Sequence, residues 1–459
     1  MKEIYAPLAV LGGGPAGYVA AIRAAQLGSR VVLVEEDALG GVCMNRGCIP
    51  TKSLLKSAGV VTAISRSKEF GVASELGGVK WDAAVQRKNR IVKNLHVGLT
   101  QLLDAKGVNV LKSRGEFLSD REIAVEDEGG VTRLVFGKLI LATGSEPIEP
   151  SIDGVGLHGV MTSAEALDLE EIPESIVIIG AGVIGVEFAS MFRAAGSKVT
   201  VLEAAPRILT EMDSEISAEL YKILKRQGIS VKLSASVQGI DQKGSGLSVR
   251  LQVGGADQAL PAARVLLAVG RKPRSGFNLP FIKANTAICV DQHMETSIKG
   301  IYAAGDVIGG SLLAHLAYAE GRVAAENALG IESAVNYNAV PSCVYTSPEI
   351  ATVGLTQQEG ENRGQEVRIG KSYFRQNGRA LTLGERDGFV KIIANKENTV
   401  IGAQILGADA SELISELTLA VALKANAGVL ADLIHPHPSL SEAVWEACGD
   451  LMGRGIHQL

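Results

Sequence analysis

Residues 8–17 read Leu-Ala-Val-Leu-Gly-Gly-Gly-Pro-Ala-Gly and set how this chain of 459 residues begins to fold. The four apolar residues predict a short strand, because buried strands are short apolar runs bounded by turn residues. The glycines have the spacing G-x-G-x-x-G, which is typical of a turn that leads into a helix and lets the backbone approach a pyrophosphate. These glycines are Gly12, Gly14 and Gly17.

The residues after this turn complete a βαβ unit. An alanine-rich helix is predicted over 18–27, and a second apolar strand over 31–34 is closed by Glu35. An acid at this position accepts hydrogen bonds from the ribose hydroxyls of an adenosine. The same pattern returns at 175–203, so the sequence predicts two nucleotide-binding domains of similar plan.

The second unit also predicts which coenzyme it prefers. Its turn carries glycines at 180, 182 and 185, and its second strand closes with Glu203. A carboxylate at that point repels a 2′-phosphate, and no arginine pair follows it directly, since Arg207 is the nearest arginine. The sequence therefore favours NAD(H) over NADP(H).

The order of the predicted elements indicates how the domains are arranged. Strand-plus-glycine segments at 139–144 and 265–270 end the two nucleotide-binding passages, and a third at 301–306 returns to the first domain. After residue 337, three apolar segments predict an antiparallel sheet, followed by helices over 412–430; the segments are 340–345, 389–394 and 400–406. The predicted fold is therefore α/β, with two Rossmann-like domains, the second inserted in the first, and a C-terminal α+β domain.

Composition excludes some classes of function. The net charge is only −5 without a basic block, which argues against nucleic-acid binding. No apolar run reaches the roughly 18 residues that a membrane-spanning helix needs. The first residues have no signal-peptide or transit-peptide pattern, so a cytoplasmic protein is expected. Cys289, Cys343 and Cys448 are isolated and are predicted to be small buried hydrophobic residues.

Cys43 and Cys48 form a close pair within residues 40–52, directly after the first βαβ unit. In a reducing compartment such a pair indicates redox chemistry or a metal, although a structural disulfide and a zinc half-site remain weaker alternatives. Residues five apart lie about 140° apart around a regular helix, so a bridge requires a break, for which Gly47 and Pro50 are the candidates. Lys52 and a helix N-terminus should lower the pKa of a thiolate here.

A second cluster, 435–442, contains two histidines and an acid. Thiol–disulfide chemistry needs a base of near-neutral pKa, and His437 fits this role if Glu442 orients it. His435 is predicted to be structural. The other histidine side chains show no partner in the sequence; they are His96, His158, His293, His315 and His457. Glu187 lies in the first turn of the second helix and either pairs with Lys52 or serves that helix N-terminus.

Together, these motifs resemble the disulfide-reductase family of FAD- and NAD-dependent flavoenzymes over essentially the full chain. The specific matches are GGVCMNRGCIPTK at 40–52, ATGSEP at 142–147, IYAAGDV at 301–307 and HPHPSLSEA at 435–443. Within the family the similarity is greatest to the dihydrolipoamide dehydrogenases. It implies oxidation of protein-bound dihydrolipoamide through a Cys43–Cys48 disulfide and FAD, with hydride passed to NAD+. It also implies a homodimer that takes a lipoyl-bearing E2 or H-protein carrier as its substrate, within 2-oxo acid dehydrogenase or glycine cleavage complexes.

The resemblance also implies a role for each motif residue. Cys43 would be the sulfur attacked by substrate, and Cys48 the charge-transfer thiolate beside the flavin. Lys52 would lie by flavin N5, paired with Glu187, and His437 with Glu442 would act on the other subunit. The implied cofactor contacts are Gly12, Gly14, Pro15, Ala16, Gly17, Glu35, Glu36, Gly41, Val42, Lys52, Thr143, Gly144, Gly180, Gly182, Val183, Ile184, Gly185, Glu187, Glu203, Gly270, Arg271, Gly305, Asp306, Leu313, Ala314 and His315.

The same resemblance divides the chain into four segments: an FAD-binding part at 1–146, an NAD-binding domain at 147–272, a return to the FAD domain at 273–337 and a dimerisation domain at 338–459. A glutathione-reductase-like disulfide reductase is the alternative enzyme, and a non-catalytic role on the same fold is the alternative outside enzymes. No metal site is predicted. Arg46, between the cysteines, departs from the apolar residue of many relatives and either tunes the thiolate or points to solvent.

Overall fold

The computed structural model describes residues 2–127, 130–274 and 286–457. The first segment builds a sheet that carries the first glycine turn. Its strands are β1 (Lys2–Leu11), β2 (Val31–Glu35), β3 (Asn109–Lys112), β4 (Arg114–Ser119), β5 (Glu122–Asp127), β6 (Gly130–Leu141) and β7 (Ser145–Pro147). Its helices are α1 (Pro15–Gln26), α2 (Gly41–Arg46), α3 (Cys48–Ser65) and α4 (Trp81–Ala105).

In this sheet the order β3-β2-β1-β6 is parallel, and β5 and β4 continue it antiparallel, while β7 lies outside it. Parallel strands are buried on both faces, which explains the continuous apolar run in β1 and β2. Helix α1 begins at Pro15, three residues before the predicted start, because proline suits the first helical position.

The second segment repeats this plan around a parallel sheet of order β11-β10-β9-β15-β8. Its strands are β8 (Val160–Met161), β9 (Ser175–Ile179), β10 (Lys198–Leu202), β11 (Ser230–Lys232), β12 (Ala235–Lys243), β13 (Gly246–Val253), β14 (Ala256–Ala262), β15 (Arg264–Leu267) and β16 (Arg271–Pro273). Its helices are α5 (Ser163–Ala166), α6 (Val183–Ala195) and α7 (Ser214–Arg226). Strands β12, β13 and β14 form an antiparallel sheet, and β16 pairs with β7.

The chain then returns to the first sheet, as the sequence predicts. Strand β17 (Ile301–Ala303) runs parallel to the end of β6, with Ile301 opposite Leu139. Helix α8 (Ala314–Ala328) follows. Residues 275–285 of the predicted return segment lie outside the described residues.

The C-terminal unit is an antiparallel sheet of order β18-β19-β22-β21-β20, which confirms the predicted fold class. Its strands are β18 (Ser342–Val344), β19 (Glu349–Gly354), β20 (Val367–Tyr373), β21 (Phe389–Asn395) and β22 (Val400–Gly407). Its helices are α9 (Gln357–Asn362), α10 (Gly378–Leu383), α11 (Ala410–Ala422), α12 (Ala427–Ala431) and α13 (Glu442–Leu451). Strands β19 and β20 are not among the predicted segments.

A shared apolar core fixes the first two units against each other. Leu54 of α3 packs in one cluster with Phe188 and Phe192 of α6, and all three are at most 2% exposed. Burial of each such side chain contributes roughly 1.5–3 kcal/mol. This contact places the start of α3 beside the start of α6.

The isolated cysteines only partly follow the prediction. Cys448 is buried, as predicted, and Cys343 is half-buried. Cys289 is exposed, so its predicted burial is wrong; it follows Ile288, which fills the apolar position of that segment. Within the described ranges, no helix is long and apolar enough to cross a membrane.

Candidate active site

The two cysteines of the motif lie on either side of a helix break. Helix α2 ends at Arg46 and α3 begins at Cys48, with Gly47 between them at φ −139° and ψ −111°. A Cβ on Gly47 would lie 2.9 Å from the carbonyl oxygen of Val42, so a side chain there would collide with the backbone. The predicted break is confirmed at Gly47, while Pro50 lies inside the first turn of α3.

In this structure both residues are free thiols that hydrogen-bond to each other. The hydrogen bond from Cys43, together with the positive charge of Lys52, lowers the pKa of Cys48 to about 7 although burial opposes the shift. The same hydrogen bond, burial and the charge of Cys48 raise the pKa of Cys43. Cys48 is therefore the more acidic thiol of the pair, and Cys43 the one that holds its proton more strongly.

Lys52 is held by a buried carboxylate from the second unit. Its Nζ lies 2.9 and 3.0 Å from the two oxygens of Glu187, whose side chain is 4% exposed. Glu187 also accepts the backbone N–H of Tyr345 at 2.9 Å, and Lys52 lies 4.5 Å from the centre of the Tyr345 ring. Glu187 therefore binds Lys52 rather than the amides of its own helix, and the contact joins three parts of the chain.

The first glycine turn has the shape of a phosphate cradle. A Cβ on Gly12 would lie 2.3 Å from the carbonyl of Ala142, and one on Gly17 would lie 1.8 Å from that of Gly12. By contrast, the only atom near a Cβ on Gly14 is Gly41 Cα at 3.8 Å. The outer two glycines therefore pack strand against helix, while Gly14 faces open space that a pyrophosphate fits.

Helix α1 begins directly at this opening, with Gly14 as N-cap, Pro15 as its first residue and Ala16 buried beneath. A glycine N-cap leaves the first helical amides to an anion. Glu35 completes the site: its two oxygens accept the backbone N–H groups of Gly13 at 2.6 Å and Asp37 at 2.8 Å. Burial raises the pKa of Glu35, and the bond from Gly13 opposes this shift. These residues fit the adenosine and pyrophosphate of FAD.

The second turn repeats the first in detail. A Cβ on Gly180 would lie 2.4 Å from the carbonyl of Ala268, and one on Gly185 would lie 2.0 Å from that of Gly180. No atom of the described residues lies within 4 Å of one on Gly182. Helix α6 begins here with Val183 and Ile184. The turn therefore fits a second dinucleotide.

The end of β10 holds an acid without a cationic partner for a 2′-phosphate. Glu203 accepts the backbone N–H groups of Ala181 at 2.7 Å and Ala205 at 2.8 Å. The guanidinium of Arg207 donates to the carbonyls of Thr210 and Met212. Arg207 therefore braces its own loop, and the site keeps a carboxylate where a ribose binds.

Several predicted contacts lie at the crossing between the two nucleotide units. The Thr143 hydroxyl donates to the backbone carbonyl of Arg274. The backbone N–H of Arg274 in turn donates to the carbonyl of Gly144. Arg274 also pairs with Glu36 at 2.9 Å, with both side chains exposed. Gly270, at φ +111°, lies between β15 and β16. The structure thus places these residues at the crossing between the two nucleotide units.

At the same crossing, Ser145 joins two motif residues. Arg271 Nε lies 2.9 Å from Ser145 Oγ, and the hydroxyl donates to Asp306 Oδ2 at 2.5 Å. Arg271 is therefore directed toward the first unit and not toward the second glycine turn. Burial lowers the pKa of Arg271, while the negative charges of Asp306 and Cys48 act against this shift.

The first turn of α8 approaches the same region. Gly305, at φ +78°, donates its N–H to the buried carboxylate of Glu320 at 2.8 Å. The ring of His315 lies 2.6 Å from the carbonyl of Pro341, which ties α8 to the C-terminal unit. The start of the helix is formed by the N-cap and its first two residues, Leu313, Ala314 and His315.

His437 lies on the surface, with its Nδ1 2.8 Å from Glu442 Oε1 and its side chain 79% exposed. Burial would raise the pKa of Glu442, but the hydrogen bonds from Ser439 N–H and His437 hold that pKa below its usual value. Among the described residues of this chain, the hydrogen bonds of His437 reach neither Cys43 nor Cys48. The chain thus builds an oriented histidine but does not bring it to its own thiols.

The remaining predictions fare differently. The Arg46 side chain is half exposed and forms an ion pair with Asp37. Its positive charge therefore lies near Glu35, whose pKa it acts to lower. His435 bonds to Glu416 within the C-terminal unit. His457, for which the sequence showed no partner, lies 2.6 Å from Glu446. This contact forms because the tail folds back on α13, and it gives His457 a structural partner that no local pattern indicates.

Sequence reasoning missed three residues that support the site: Ser145, Glu320 and Tyr345. Ser145 lies within the quoted motif at 142–147, which was a usable signal. The others lie far in sequence from the groups they bind.

Comparison with known proteins agrees with this geometry. The model of the pyridine nucleotide-disulphide oxidoreductases matches residues 6–321, and that of the dimerisation domain of the same family matches 340–448. A dihydrolipoyl dehydrogenase of Bacillus subtilis is 40% identical, covering 98% of both chains. One of Geobacillus stearothermophilus is 39% identical, covering 98% of this chain and 96% of the relative.

Solved structures show the same likeness. LpdA from Mycobacterium tuberculosis superimposes with a TM-score of 0.90 at 28% identity, over 98% of this chain and all of the other. The Cu(II) complex of the HOCl-induced flavoprotein disulfide reductase RclA from Escherichia coli gives 0.87 at 29% identity, over 97% and 99%. With both domain models matched and the thiols, glycine turns and acids in place, this chain belongs to the pyridine nucleotide-disulphide oxidoreductase family.

Proposed function

We propose that this protein oxidises protein-bound dihydrolipoamide to lipoamide and reduces NAD+, with FAD and NAD(H) as its cofactors. The observation that carries the proposal is the placement of Cys43 and Cys48 on either side of the break at Gly47, where the pKa of Cys48 is lowered and that of Cys43 is raised. Dihydrolipoyl dehydrogenases at 38–40% identity over nearly the whole chain support the choice of substrate. Bound FAD supplies the two-electron carrier between the thiols and the nicotinamide.

The inequality sets the direction of disulfide exchange. A substrate thiolate attacks Cys43 of the oxidised pair, the Cys43–Cys48 bond breaks, and Cys48 departs with the electron pair. A thiol of low pKa is the better leaving group, so the charge of Lys52 favours this step. The second substrate thiol, after losing its proton to a base, attacks the mixed disulfide, closes the lipoyl ring and releases Cys43, which takes up a proton.

The base in this proposal is His437 of the partner subunit. Glu442 holds the Nδ1 side of the ring, so Nε2 is directed outward to exchange a proton. The stretch of chain that leads to it exposes large apolar side chains, which suits an interface. They are Leu419 at 59%, Leu423 at 69%, Val429 at 59%, Leu433 at 48% and Ile434 at 100%. A second copy of the chain is proposed to cover this surface.

We assign the two dinucleotides to the two turns, FAD to Gly12–Gly17 and NAD(H) to Gly180–Gly185. We propose that the four segments of the chain end at residues 146, 272, 337 and 459. The substrate carrier is a separate lipoyl-bearing E2 or H-protein of a 2-oxo acid dehydrogenase or glycine cleavage complex, and the location is cytoplasmic. The five free thiols suit a reducing compartment.

An anaerobic titration of the purified protein with dihydrolipoamide tests the proposal. Two electrons per chain should be taken up, seen as a long-wavelength absorbance band, and NAD+ should remove them. Glutathione in place of dihydrolipoamide is the matched comparison. Reduction by NADH but not by dihydrolipoamide would overturn the substrate, and uptake from glutathione alone would favour a glutathione-reductase-like enzyme.

A further inference from the structure

Ser145 is the centre of a buried chain of hydrogen bonds. Its Oγ accepts from Arg271 Nε at 2.9 Å and donates to Asp306 Oδ2 at 2.5 Å, while its carbonyl accepts from Arg271 Nη2 at 2.6 Å. Ser145 is 4% exposed, so its hydroxyl is shielded from water, while Arg271 and Asp306 are half-buried. The two bonds from Arg271 fix both the backbone and the rotamer of Ser145.

The chain has one possible direction. A guanidinium has donors and no acceptor, so the Arg271 proton must point at Ser145 Oγ. The hydroxyl carries one proton, and the remaining partner is the carboxylate of Asp306. Ser145 is therefore a fixed donor to Oδ2. Within the part of the chain that the structure describes, no hydrogen bond reaches Asp306 Oδ1, which leaves that oxygen for a ligand.

Three separate elements supply these residues. Ser145 begins β7, Arg271 begins β16, and the two strands pair antiparallel with Pro273 opposite Ser145. Asp306 follows Gly305, whose backbone is held by Glu320. Strand β7 leads into the second nucleotide unit and strand β16 leads out of it. Both strands meet at Asp306 of the first unit, a contact that no local sequence pattern indicates.

We infer that Ser145 and Arg271 are positioning residues that orient the Asp306 carboxylate toward bound FAD. The inference rests on the proposed function, since it takes the first site to be the FAD site. Its consequence is that the crossing into the second unit contributes to flavin affinity through the hydrogen bonds of Arg271 to Ser145.

The test is the affinity of the apoprotein for FAD, measured by fluorescence titration, with thermal unfolding of each apoprotein as the stability readout. Ser145→Ala and Arg271→Met should each weaken FAD binding by roughly tenfold, the cost of one charge-linked hydrogen bond. Lys272→Met is the matched control, because this neighbour on β16 has an exposed side chain whose ion pair, among the described residues, is with Glu146. It should bind FAD as the wild type does.

A double-mutant cycle separates positioning from general weakening. If Ser145 acts through Asp306, then Ser145→Ala should cause no further loss in an Asp306→Ala background. Wild-type affinity in Ser145→Ala, or equal losses with and without Asp306, overturns the inference. A wild-type apoprotein that fails to bind FAD refutes the proposed function and this inference with it, whereas FAD binding that Ser145→Ala leaves unchanged refutes the inference alone.

Discussion

Replacing Lys52 by methionine should raise the pKa of Cys48, and replacing Glu187 by glutamine should lower it. Both charges act on this thiol: the ammonium of Lys52 stabilises the thiolate and the carboxylate of Glu187 opposes it. In Lys52→Met the carboxylate also loses its bound cation at 2.9 Å and becomes an uncompensated buried charge. The two variants therefore move the same pKa in opposite directions.

The structure sets the size of the effect. A neighbouring opposite charge changes a pKa by about 1–3 units, and the Lys52 side chain is 33% exposed, which places its removal near the lower end. We expect a rise of about one to two units in Lys52→Met. Glu187→Gln should give a fall of up to about one unit, because the opposing charge is already partly neutralised by Lys52. The double variant should lie between the two.

The assay is thiolate ultraviolet absorbance against pH in a Cys43→Ser background, in which the serine hydroxyl still donates to Cys48. Subtracting the same titration of Cys43→Ser/Cys48→Ser removes the other cysteines. Lys52→Arg is the control that keeps the charge and should titrate near the parent. An unchanged pKa in Lys52→Met, or a rise in Glu187→Gln, would refute the electrostatic reasoning.

Three further predictions concern the partner subunit and the coenzyme. His437→Gln should reduce dihydrolipoamide oxidation by about 10²-fold or more, since it removes the general base, but leave reduction of an artificial acceptor by NADH intact; equal loss in both assays would count against the assignment. Glu203→Ala should raise the KM for NADH by about tenfold and narrow its preference over NADPH, because two backbone N–H groups and the ribose lose their acceptor; a wild-type preference for NADPH in steady-state rates would contradict this. Ile434→Glu should yield monomers in analytical ultracentrifugation, because it places a charge on a fully exposed apolar position of the proposed interface. The control Leu118→Glu, on an exposed edge of the first sheet, should remain dimeric. Dimers in both variants would show that Ile434 does not lie in the dimer interface.

Local sequence signals predicted a large part of the fold. The two glycine turns were recognisable because only glycine allows the strand and the helix to approach as closely as Gly12 and Gly17 do. The break at Gly47 followed from helical geometry alone, since two residues five apart cannot meet on a regular helix. These features depend on backbone sterics within a few residues, which is the range that sequence patterns report.

The same reasoning failed where a residue's surroundings come from distant segments. Cys289 was predicted to be buried because small apolar residues usually are, yet it lies outside the helices and strands and its side chain is exposed. Strand β20 was missed because its two buried residues, Gly370 and Ser372, are small and alternate with half-buried ones, which gives a weak apolar signal.

The sequence by itself determined the two nucleotide turns, the cysteine pair and the order of the domains, because each depends on residue types at fixed short spacings. The tertiary structure decided between the two alternatives that the sequence left open for Glu187, and it supplied contacts of Ser145 that the sequence did not indicate. Lys52 meets Glu187 across 135 positions in the chain, and Ser145 meets Asp306 across 161. Both contacts exist because packed strands and helices bring distant backbone segments within hydrogen-bonding range, and the pKa of a thiol or the orientation of a carboxylate follows from that proximity.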